Sequence, residues 1–433
     1  MNRSAPRLRI WLVQIGEELP FDPGPPRLLR TALLARELVK RGHEVTFWNA
    51  SFNHQQKLLR SRETIITDTG EGYRAVLLKG RPYSRNISIA RILSQRENAA
   101  AFRAHASNEP RPDVILSGLP SLEIADAASE YAATHRIPIA IDCRDLWPDV
   151  IKEFVPAYLK WLSDPIMHHW ERMLQRATRR ATAITGVSEG FVDWGVRAAG
   201  RARTPEDRPF HLTYSAPSID PETLKVAEAY WDARLGPSNP STVLGVYAGT
   251  LSRRFDLLTI AQAYEKLPTG AKRRLRLVIC GKGDREGEFA ALASREPGII
   301  AAGWRSAAEL HVLMSRATFG LLPYHRSGDF VTTFPNKVGE YLFFGLPIMT
   351  GLGGTTGALL AEHGLEIPYQ PGDIDSAAAA LLDLSRRGGR PQGWRAAARA
   401  AFHAHFEPKL VLGGLADFLE DLAKTGRAAR TVA

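Results

Sequence analysis

The sequence predicts an α/β protein in which two doubly wound parallel sheets follow one another along the chain. Short apolar runs alternate with segments of helical periodicity through most of the 433 residues, and this alternation breaks at a proline-rich stretch and then begins again. Alternation of strand and helix places parallel strands side by side, with helices on both faces of the sheet. The break and restart therefore predict two domains, each with its own sheet.

In the first half of the chain, apolar runs of strand length are separated by helical segments. The segment Arg27–Arg41 is predicted to be a helix because Leu34 and Leu38 lie on one helix face, and Gly42 supplies a C-terminal stop. The predicted strands are Ile10–Ile15, Glu44–Trp48, Arg74–Leu78, Asp113–Ser117, Ile137–Asp142 and Ala183–Val187.

The proline-rich stretch, residues 201–241, predicts a domain boundary within or beside it. We expect an N-terminal domain over 1–235, a second domain over 236–404, and a C-terminal helix over 405–433 that packs back toward the N-terminal domain. Two such domains should face a cleft, where ligands bind outside the carboxyl ends of the strands. The strands predicted in the second domain are Val243–Ala248, Leu275–Cys280, Ile299–Ala302, Phe319–Pro323 and Pro347–Thr350.

The composition is that of a globular protein, with 44% hydrophobic and 24% charged residues. The two cysteines, Cys143 and Cys280, each close an apolar run, which favours small core residues over a disulfide. The N-terminus shows no apolar signal-peptide region, and no apolar run is long enough to span a membrane. We therefore expect a cytoplasmic protein.

The formal net charge of +10 admits three partners: nucleic acid, an anionic membrane surface or an anionic small substrate. A solvated arginine-rich surface is the alternative. Without zinc-ligand spacing or a recognisable nucleic-acid-binding module, we expect no nucleic acid partner. Two basic, partly apolar segments, 85–103 and 161–180, favour peripheral contact with an anionic membrane, or else are buried helix faces fringed by solvated arginines.

The strongest functional signal is the segment Phe334–Pro347, predicted to be a short helix between two strands. Pro335 suits the first helical position, where a missing N–H costs nothing, and Gly345 suits the C-terminal cap. The start of such a helix would lie at the carboxyl end of a strand, where ligands of this class of sheet bind.

The first turn of this helix predicts an anion site followed by a hydroxyl-binding carboxylate. N–H groups near Asn336, Lys337 and Val338 would face the ligand, and Lys337 adds positive charge. Glu340, one turn further on, can accept hydrogen bonds from vicinal hydroxyls such as those of a ribose. The alternative is an ordinary amphipathic helix with Glu340 in solvent.

The segment resembles the nucleotide-binding helix of glycosyltransferase family 4, whose members are retaining enzymes of the GT-B fold. The family places two glutamates at the spacing of Thr332 and Glu340, followed by a helix end of small residues and Gly-x-Pro. Glu340 matches the second glutamate, which contacts the ribose of the sugar nucleotide. The first glutamate, which contacts the donor sugar, is replaced by Thr332, as in several polysaccharide-assembly branches of the family.

A loop after the first strand of the second domain resembles the family's Gly-Arg loop. Gly249 ends the strand and allows close approach of a ligand to the backbone. Arg253 and Arg254 follow, and a planar guanidinium binds phosphate well. The resemblance implies that Arg253 binds the diphosphate, with the second contact from Arg254 or Lys337; the alternative is a simple turn with solvated arginines.

Two further strand ends resemble family sites. The turn Cys280–Asp284 matches the family's Gly-x-Gly turn through Gly281, although a glycine-rich turn after a strand is common. Trp304 lies where the family's loop packs against the nucleobase, or it packs in the core or at its rim.

In the first domain, a dense polar cluster, Asp142–Asp149, follows a strand directly. Its Arg-Asp-Leu-Trp-Pro sequence closely resembles a signature of the polysaccharide-assembly branch of family 4. Asp145 is the residue expected nearest the reacting hydroxyl, and Arg144 belongs to the same acceptor side, unless an Arg144–Asp salt bridge only shapes the loop. Gly16, after the first strand, matches the family's glycine-rich loop before a helix.

The resemblance implies a retaining transferase that uses a nucleotide-diphosphate sugar and a lipid-linked or saccharide acceptor in cell-surface polysaccharide biosynthesis. Arg253, Lys337 and the helix N-terminus would stabilise the leaving group. No cofactor and no metal ion are expected, since GT-B enzymes generally need none and the sequence shows no strong ligand spacing. The location would be cytoplasmic, at the inner face of the membrane. Two alternatives remain: a nucleotide-sugar 2-epimerase and a non-catalytic GT-B scaffold.

Overall fold

A computed structural model describes residues 6–24, 26–85, 88–149, 160–237, 242–326, 328–387 and 393–432. The chain divides into two compact units. The N-terminal unit comprises Met1–His211 and Lys409–Ala433, and the C-terminal unit comprises Leu212–Pro408. The division precedes the boundary predicted after residue 235, because the helix Pro221–Leu235 buries Trp231 in a core of the C-terminal unit.

The N-terminal unit contains an eight-stranded sheet with the order β10-β9-β8-β7-β1-β2-β6-β5. Only the β5–β6 pair is antiparallel among the described pairs of this sheet. In chain order, the elements are β1 Arg9–Val13, α1 Arg30–Lys40, β2 Glu44–Ala50, β3 Phe52–Asn53, β4 Leu58–Leu59, β5 Ile65–Asp68, β6 Arg74–Leu78, α2 Ile89–Ala106, β7 Val114–Gly118, α3 Leu122–His135, β8 Ile139–Cys143, α4 Lys160–Arg180, β9 Ala183–Gly186, α5 Glu189–Ala199 and β10 Arg208–Pro209.

The C-terminal unit contains a six-stranded parallel sheet with the order β13-β12-β11-β14-β15-β16. Its elements, with the last helix returning to the N-terminal unit, are α6 Pro221–Leu235, β11 Val243–Ala248, α7 Leu257–Glu265, α8 Thr269–Lys272, β12 Leu275–Cys280, α9 Glu286–Arg295, β13 Ile299–Gly303, α10 Ala307–Arg316, β14 Phe319–Leu322, α11 Gly328–Val331, α12 Asn336–Phe343, β15 Ile348–Thr350, α13 Gly354–Glu362, β16 Glu366–Pro368, α14 Ile374–Arg387, α15 Trp394–His405 and α16 Pro408–Val432.

The predicted strands are all present, with ends that shift by two residues at most. The strands that sequence reasoning missed are short or lie at sheet edges: the β3–β4 hairpin, β5, β10 and β16. β5 lacks a buried face, so its side chains give no apolar alternation to detect. The predicted helix Arg27–Arg41 begins three residues late, at Arg30, and Gly42 follows it with the left-handed φ of 89° that favours glycine.

The C-terminal helix α16 is held to the N-terminal unit by an apolar face and by an ion cluster. Leu415 and Leu419 are fully buried in the core that β1 and α1 also line. Arg41, just after α1, binds Asp417 at 2.5 Å and Glu420 at 3.0 Å. His43 Nε2 lies 3.1 Å from the same Glu420 carboxylate.

Several residues of the segment 161–180, where a membrane-binding surface was predicted, are used within the protein. Trp170 is 5% exposed and packs on Trp147, with ring centroids 5.3 Å apart, so it belongs to the core. Arg176 and Arg180 both pair with Asp126. Trp161 lies outside the described side chains. In the described parts of the chain, we find no helix that combines the length and the hydropathy needed to cross a membrane.

Candidate functional site

The loops that follow β11, β12 and β13 are joined to one another through their backbones. The N–H of Gly249 donates to the Cys280 carbonyl at 2.9 Å, and the N–H of Gly281 donates to the Gly303 carbonyl at 2.8 Å. A further bond of 2.9 Å runs from the Leu251 N–H to the Lys282 carbonyl. Because parallel strands present their carboxyl ends at one edge of a sheet, these bonds fix the predicted residues Gly249 and Gly281 side by side.

Glycine is required at two positions of this junction. A Cβ on Gly281, where φ is +149°, would lie 1.7 Å from the Gly249 carbonyl oxygen. A Cβ on Gly283 would lie 2.0 Å from the Leu251 carbonyl oxygen. Both contacts are with backbone, which cannot rotate away as a side chain can. The two glycines therefore explain why the loops can approach closely enough to form their backbone bonds.

Gly249 also makes room for Lys337 from the predicted anion-binding segment. A Cβ at position 249 would lie 3.0 Å from Lys337 Cε and 2.9 Å from the Tyr247 hydroxyl. The Lys337 ammonium lies 5.7 Å from the centroid of the Tyr247 ring, within the range of a cation–π contact. The structure thus brings together two residues that are far apart in sequence and that were both predicted to contact the nucleotide sugar.

Helix α12 begins at Asn336, one residue later than predicted, so Pro335 is its N-cap and not its first residue. No described side chain caps this end of the helix. The N–H of Val338 donates to the Pro335 carbonyl at 2.8 Å, and the Val338 side chain is fully buried. The prediction that Val338 offers its N–H to a ligand is therefore wrong, because the first turn already uses that group. Asn336 is exposed at the helix start.

The C-terminal end of α12 has the predicted glycine signal. Gly345 adopts a left-handed φ of 74°, and its N–H donates to the Leu342 carbonyl at 3.0 Å. The next residue, Leu346, donates its N–H to the Tyr341 carbonyl at 3.0 Å. This pair of bonds closes the helix and fixes its length.

The Glu340 carboxylate is available to a ligand. Its side chain is 14% exposed, and the Lys337 ammonium lies 3.9 Å away, which is an ion pair but too far for a hydrogen bond. Among the described residues, none donates a hydrogen bond to this carboxylate. A partly buried carboxylate whose oxygens accept no hydrogen bond from the described residues can accept hydrogen bonds from two hydroxyl groups.

The two arginines of the Gly249 loop differ in their surroundings. Arg253 is exposed and interacts electrostatically with Glu288 in α9. The Arg254 guanidinium lies 4.6 Å from the centroid of the Phe330 ring. Arg254 and Glu340 both interact electrostatically with Tyr324, whose pKa is raised to about 12, chiefly by burial. Arg254 therefore lies against α11, whereas Arg253 lies toward α9.

Thr332, the position of the missing glutamate, is fixed through its own segment. Its hydroxyl donates to the Gly328 carbonyl at 2.8 Å. Helix α13 lies close to the same segment. The Thr356 hydroxyl donates to the Thr333 carbonyl at 2.8 Å. Gly354 lies so near the Val331 carbonyl oxygen that an added Cβ would be only 2.0 Å from it. The Thr332 hydroxyl thus stabilises the turn at α11.

Trp304 follows β13 and is 63% exposed. Packing in the core is therefore excluded; packing against the nucleobase and packing at the rim of the core stay as the interpretations of this residue. The next residue, Arg305, bonds to Glu309 at 3.0 Å and lies 4.7 Å above the Tyr230 ring. These contacts hold the backbone next to Trp304 while its indole ring faces solvent.

In the N-terminal unit, the cluster after β8 is an internal ion network. Asp142 is fully buried and accepts hydrogen bonds from Arg144 Nε at 2.6 Å and the Thr185 hydroxyl at 2.8 Å. Arg144 also donates to Glu17 at 2.6 Å, and Arg30 lies 3.5 Å from Asp142. Burial alone would raise the pKa of Asp142, but Arg30 and Arg144 hold it below its usual value.

Arg144 therefore joins the loop after β8 to the loop after β1. Its contact with the acceptor stays a prediction. Glu17, which also accepts from the Thr31 hydroxyl at 2.7 Å, was not among the predicted site residues. Neither was Arg30, which is 4% exposed. The sequence indicated which loops lie at the site but not which charged residues pair there. A buried arginine needs acidic partners, and the fold decides which carboxylates come close to it.

The remaining predicted residues of this unit lie on the same two loops. Gly16 has a φ of 89°, and its N–H donates to the Asn49 side chain at 3.1 Å. Asp145 is half-buried directly after Arg144. Asp149, at the end of the cluster, accepts a hydrogen bond from Trp194 Nε1 at 2.8 Å, so its carboxylate anchors the loop on α5.

In the described residues, no group of three or more His, Cys, Asp or Glu side chains is arranged to hold a metal ion. Both cysteines are buried free thiols, and burial raises the pKa of each. The expectation that no metal is needed stays a prediction.

Comparison with known protein families assigns both units. A family described as Glycosyltransferase Family 4 matches residues 30–205, and a family described as Glycosyl transferases group 1 matches residues 243–387. The chain is a glycosyltransferase of family 4. The two matches cover the loop after β8, the arginines after β11 and the start of α12. No curated protein sequence matches the chain significantly.

Solved structures with the same fold span nearly the whole of this family 4 chain. Sucrose-phosphate synthase from Thermosynechococcus elongatus is 14% identical with a TM-score of 0.70, covering 97% of this chain and 100% of its own. HepE from Anabaena, solved with UDP, is 14% identical with a TM-score of 0.64, covering 96% and 100%. WaaG, a glycosyltransferase of lipopolysaccharide biosynthesis, is 14% identical with a TM-score of 0.62, covering 95% and 99%. These likenesses confirm the predicted GT-B fold.

Proposed function

We propose that this family 4 glycosyltransferase moves a sugar, with retention of anomeric configuration, from a nucleotide-diphosphate sugar to a lipid-linked or saccharide acceptor in cell-surface polysaccharide biosynthesis. The observation that carries the proposal is the convergence of Gly249, Lys337 and Glu340 at one edge of the C-terminal sheet. A glycine that admits a cation, followed by a carboxylate with open acceptor positions, matches a diphosphate linked to a ribose. HepE, which shares the fold, was solved with UDP-glucose.

In this proposal, each group in the C-terminal unit meets one part of the donor. Arg253, Arg254 and Lys337 stabilise the charge that develops on the leaving diphosphate, and Asn336 at the uncapped start of α12 adds a backbone donor. Glu340 binds the ribose hydroxyls. The exposed Trp304 stacks on the nucleobase, and the backbone of Gly249 and Gly281 lies against the phosphates.

On the acceptor side, Asp145 lies nearest the reacting hydroxyl, and Gly16 admits the acceptor close to the backbone. Arg144 acts by position, because its two carboxylate bonds align the loops that carry Gly16 and Asp145. In the bond exchange, the anomeric carbon leaves the phosphate oxygen and joins the acceptor oxygen on the same face. The leaving phosphate takes the hydroxyl proton, so no protein nucleophile is needed.

The proposal keeps the acceptor at the inner face of the membrane and the enzyme in the cytoplasm. The supporting residues for membrane contact are on α2, where Ile89 is 75% exposed and Arg91 and Arg96 follow in the same helix. Flotation with vesicles containing anionic lipid tests this part: Ile89→Asp should release the protein from the vesicles, and wild-type protein that does not float would contradict it.

Donor binding is tested by calorimetry with UDP and 2′,3′-dideoxy-UDP. Wild-type protein should bind UDP about tenfold more tightly, because the dideoxy compound lacks the hydroxyls that Glu340 accepts. Glu340→Ala should remove this preference, whereas Glu362→Ala, an exposed glutamate of α13, should keep it. If Glu340→Ala still prefers UDP by the same factor, Glu340 does not bind the ribose.

The reaction class is tested by product analysis. Proton NMR of the product formed from an α-linked donor should show an α-linked sugar, and a β-linked product would contradict retention. Release of free nucleotide and an epimerised sugar without acceptor would identify the 2-epimerase instead. Tight donor binding with no turnover against any acceptor would favour the scaffold, which the replacement at Thr332 allows.

A further inference from the structure

A group of basic and aromatic residues in the N-terminal unit plays no part in the mechanism so far. His54 and Lys57 lie in the turn between β3 and β4, Tyr83 follows β6, and Arg91 lies in the first turn of α2. His54 Nδ1 lies 2.8 Å from the Tyr83 hydroxyl, and the Lys57 ammonium lies 5.1 Å from the centroid of the Tyr83 ring. Arg91 interacts electrostatically with the other three residues. We refer to these four residues as the basic cluster.

The fold holds two cations of this cluster together against their repulsion. Lys57 has a φ of 56°, a left-handed backbone that a residue with a side chain rarely adopts. Burial, together with the charge of Arg91, lowers the pKa of Lys57. Burial, Lys57 and Arg91 also lower the pKa of His54 to about 4. His54 is therefore neutral near pH 7, and the positive charge resides on Lys57 and Arg91.

The cluster borders both loops of the acceptor side. A Cβ on Gly16 would lie 3.8 Å from His54 Cβ. The side-chain amide of Gln55, the residue after His54, donates to the Gly16 carbonyl at 3.4 Å. The Arg91 guanidinium lies 5.8 Å from the centroid of the Trp147 ring, in the loop that carries Asp145. His54 thus lies beside the Gly16 loop, and Arg91 lies against the loop that carries Asp145.

The chemistry of the cluster matches an oxyanion. An ammonium and a guanidinium are the two side-chain cations that bind phosphate. The neutral imidazole and the Tyr83 hydroxyl share one hydrogen bond, so whichever group donates it, the pair retains one further polar hydrogen for a ligand. Glu123 also interacts with Arg91, but it is 4% exposed and burial raises its pKa, which favours its uncharged form.

We propose that the basic cluster binds a phosphate or diphosphate group of the acceptor. The acceptor would then be a phosphorylated sugar or an isoprenyl diphosphate-linked sugar, with its phosphate on Lys57 and Arg91 and its hydroxyl beside Asp145. This inference rests on the proposed function, because it assumes that the N-terminal unit holds the acceptor. Donor binding at the C-terminal unit is independent of it.

The test measures binding of phosphate-bearing probes by calorimetry with UDP at saturation, so that the donor site cannot take the probe. Farnesyl diphosphate and glucose 1-phosphate represent the lipid and sugar sources of the phosphate. Farnesol and methyl glucoside are their phosphate-free partners. At least one phosphate probe should bind about tenfold more tightly than its partner, since each charge-assisted bond contributes that order of affinity.

Variants then assign the binding to the cluster. Lys57→Gly removes the ammonium and relieves the left-handed backbone, so it should weaken the phosphate probe about tenfold without lowering the melting temperature. Lys57→Arg should restore most of the affinity. Arg91→Ala should match Lys57→Gly. Arg103→Ala, farther along α2 in an exposed pair with Glu130, should bind as wild type does.

The outcomes separate this inference from the proposed function. If UDP binds but neither phosphate probe binds better than its phosphate-free partner, the phosphate subsite is wrong and the transferase proposal stands. Equal binding of a phosphate probe by wild type and both Lys57→Gly and Arg91→Ala would also overturn it. Failure of UDP itself to bind would instead contradict the donor site. A preference for farnesyl diphosphate or for glucose 1-phosphate identifies the source of the phosphate.

Discussion

The strand-end loops of the two units are held together in different ways. In the N-terminal unit, they are tied by buried charges: Arg144, directly after β8, connects Asp142 at the end of β8 to Glu17 after β1. In the C-terminal unit, they are tied by backbone bonds at Gly249 and Gly281. In the N-terminal unit, the charged side chains bond to one another and hold the loops. In the C-terminal unit, backbone bonds hold the loops, and the Glu340 carboxylate accepts no hydrogen bond from the described residues.

The difference shows that a stretch of sequence rich in polar residues is not by itself evidence of a binding site. Asp142–Asp149 is the richer polar motif in sequence, yet Asp142, Arg144 and Asp149 bond to other parts of the protein. The C-terminal motif is sparser, but its Glu340 receives no hydrogen bond from the described residues. We expect changes in the first region to reduce stability and changes in the second to reduce donor affinity.

Arg144→Met should have the largest effect, and mainly on stability. It would leave the carboxylates of Asp142 and Glu17 buried with one partner fewer, which destabilises proteins by about 3–5 kcal/mol. Urea denaturation at pH 7 measures the change in the free energy of unfolding. Arg103→Met, which breaks the exposed pair with Glu130, is the control and should cost about 0–1 kcal/mol. Equal losses in the two variants would contradict the buried network.

The same comparison has a defined pH dependence. The folded pKa of Asp142 is below its usual value, so the stability it contributes is present above about pH 4 and is lost as pH falls through the folded pKa. Without Arg144, that depression is reduced. The gap in unfolding free energy between wild type and Arg144→Met should therefore shrink below about pH 4; a gap that widens in acid would contradict the assignment.

Gly281→Ala should have the next largest effect and should reduce both stability and donor binding. Its Cβ would collide with the Gly249 carbonyl, and relieving that contact must separate the β11 and β12 loops. We expect a loss of about 3 kcal/mol in unfolding free energy and no measurable UDP binding by calorimetry. Gly287→Ala, in α9 with open space around it, should gain about 0.5–1 kcal/mol and bind UDP normally. Normal UDP affinity in Gly281→Ala would separate this junction from the donor site.

Trp304→Ala should have the smallest effect, confined to affinity. Loss of stacking on the base should weaken UDP by about fivefold, at the low end for base–aromatic contacts. Because the side chain is 63% exposed, the melting temperature should not change. Inorganic pyrophosphate, which has no base, should bind the variant and the wild type equally. If pyrophosphate weakens as much as UDP, Trp304 acts on the phosphates and not on the base.

The sequence predicted the strands and the class of sheet well, because buried parallel strands are continuous apolar runs. It predicted the domain boundary less well, because nothing in the proline-rich stretch reveals that Trp231 belongs to a later core. The start of α12 was located from local signals, and anion binding there stays a prediction. Val338 was assigned a free N–H that the first helical turn uses.

Pairings across long sequence separations could not be predicted. Arg144 and Glu17 meet only because β1 and β8 both end at one edge of the sheet, with β7 between them. The basic cluster was hidden for the same reason, since Lys57 and Arg91 come from different elements. The exposure of Trp304 also depends on the fold, and the sequence left its two interpretations open.

Hydrogen–deuterium exchange with and without saturating UDP tests the central claim most directly, because it reports both units at once. The account predicts slower exchange in residues 249–254, 281–285 and 334–340 on addition of UDP, and unchanged exchange in residues 14–19 and 142–149. Protection of residues 142–149 with none at 334–340 would place the nucleotide on the N-terminal unit and contradict the account.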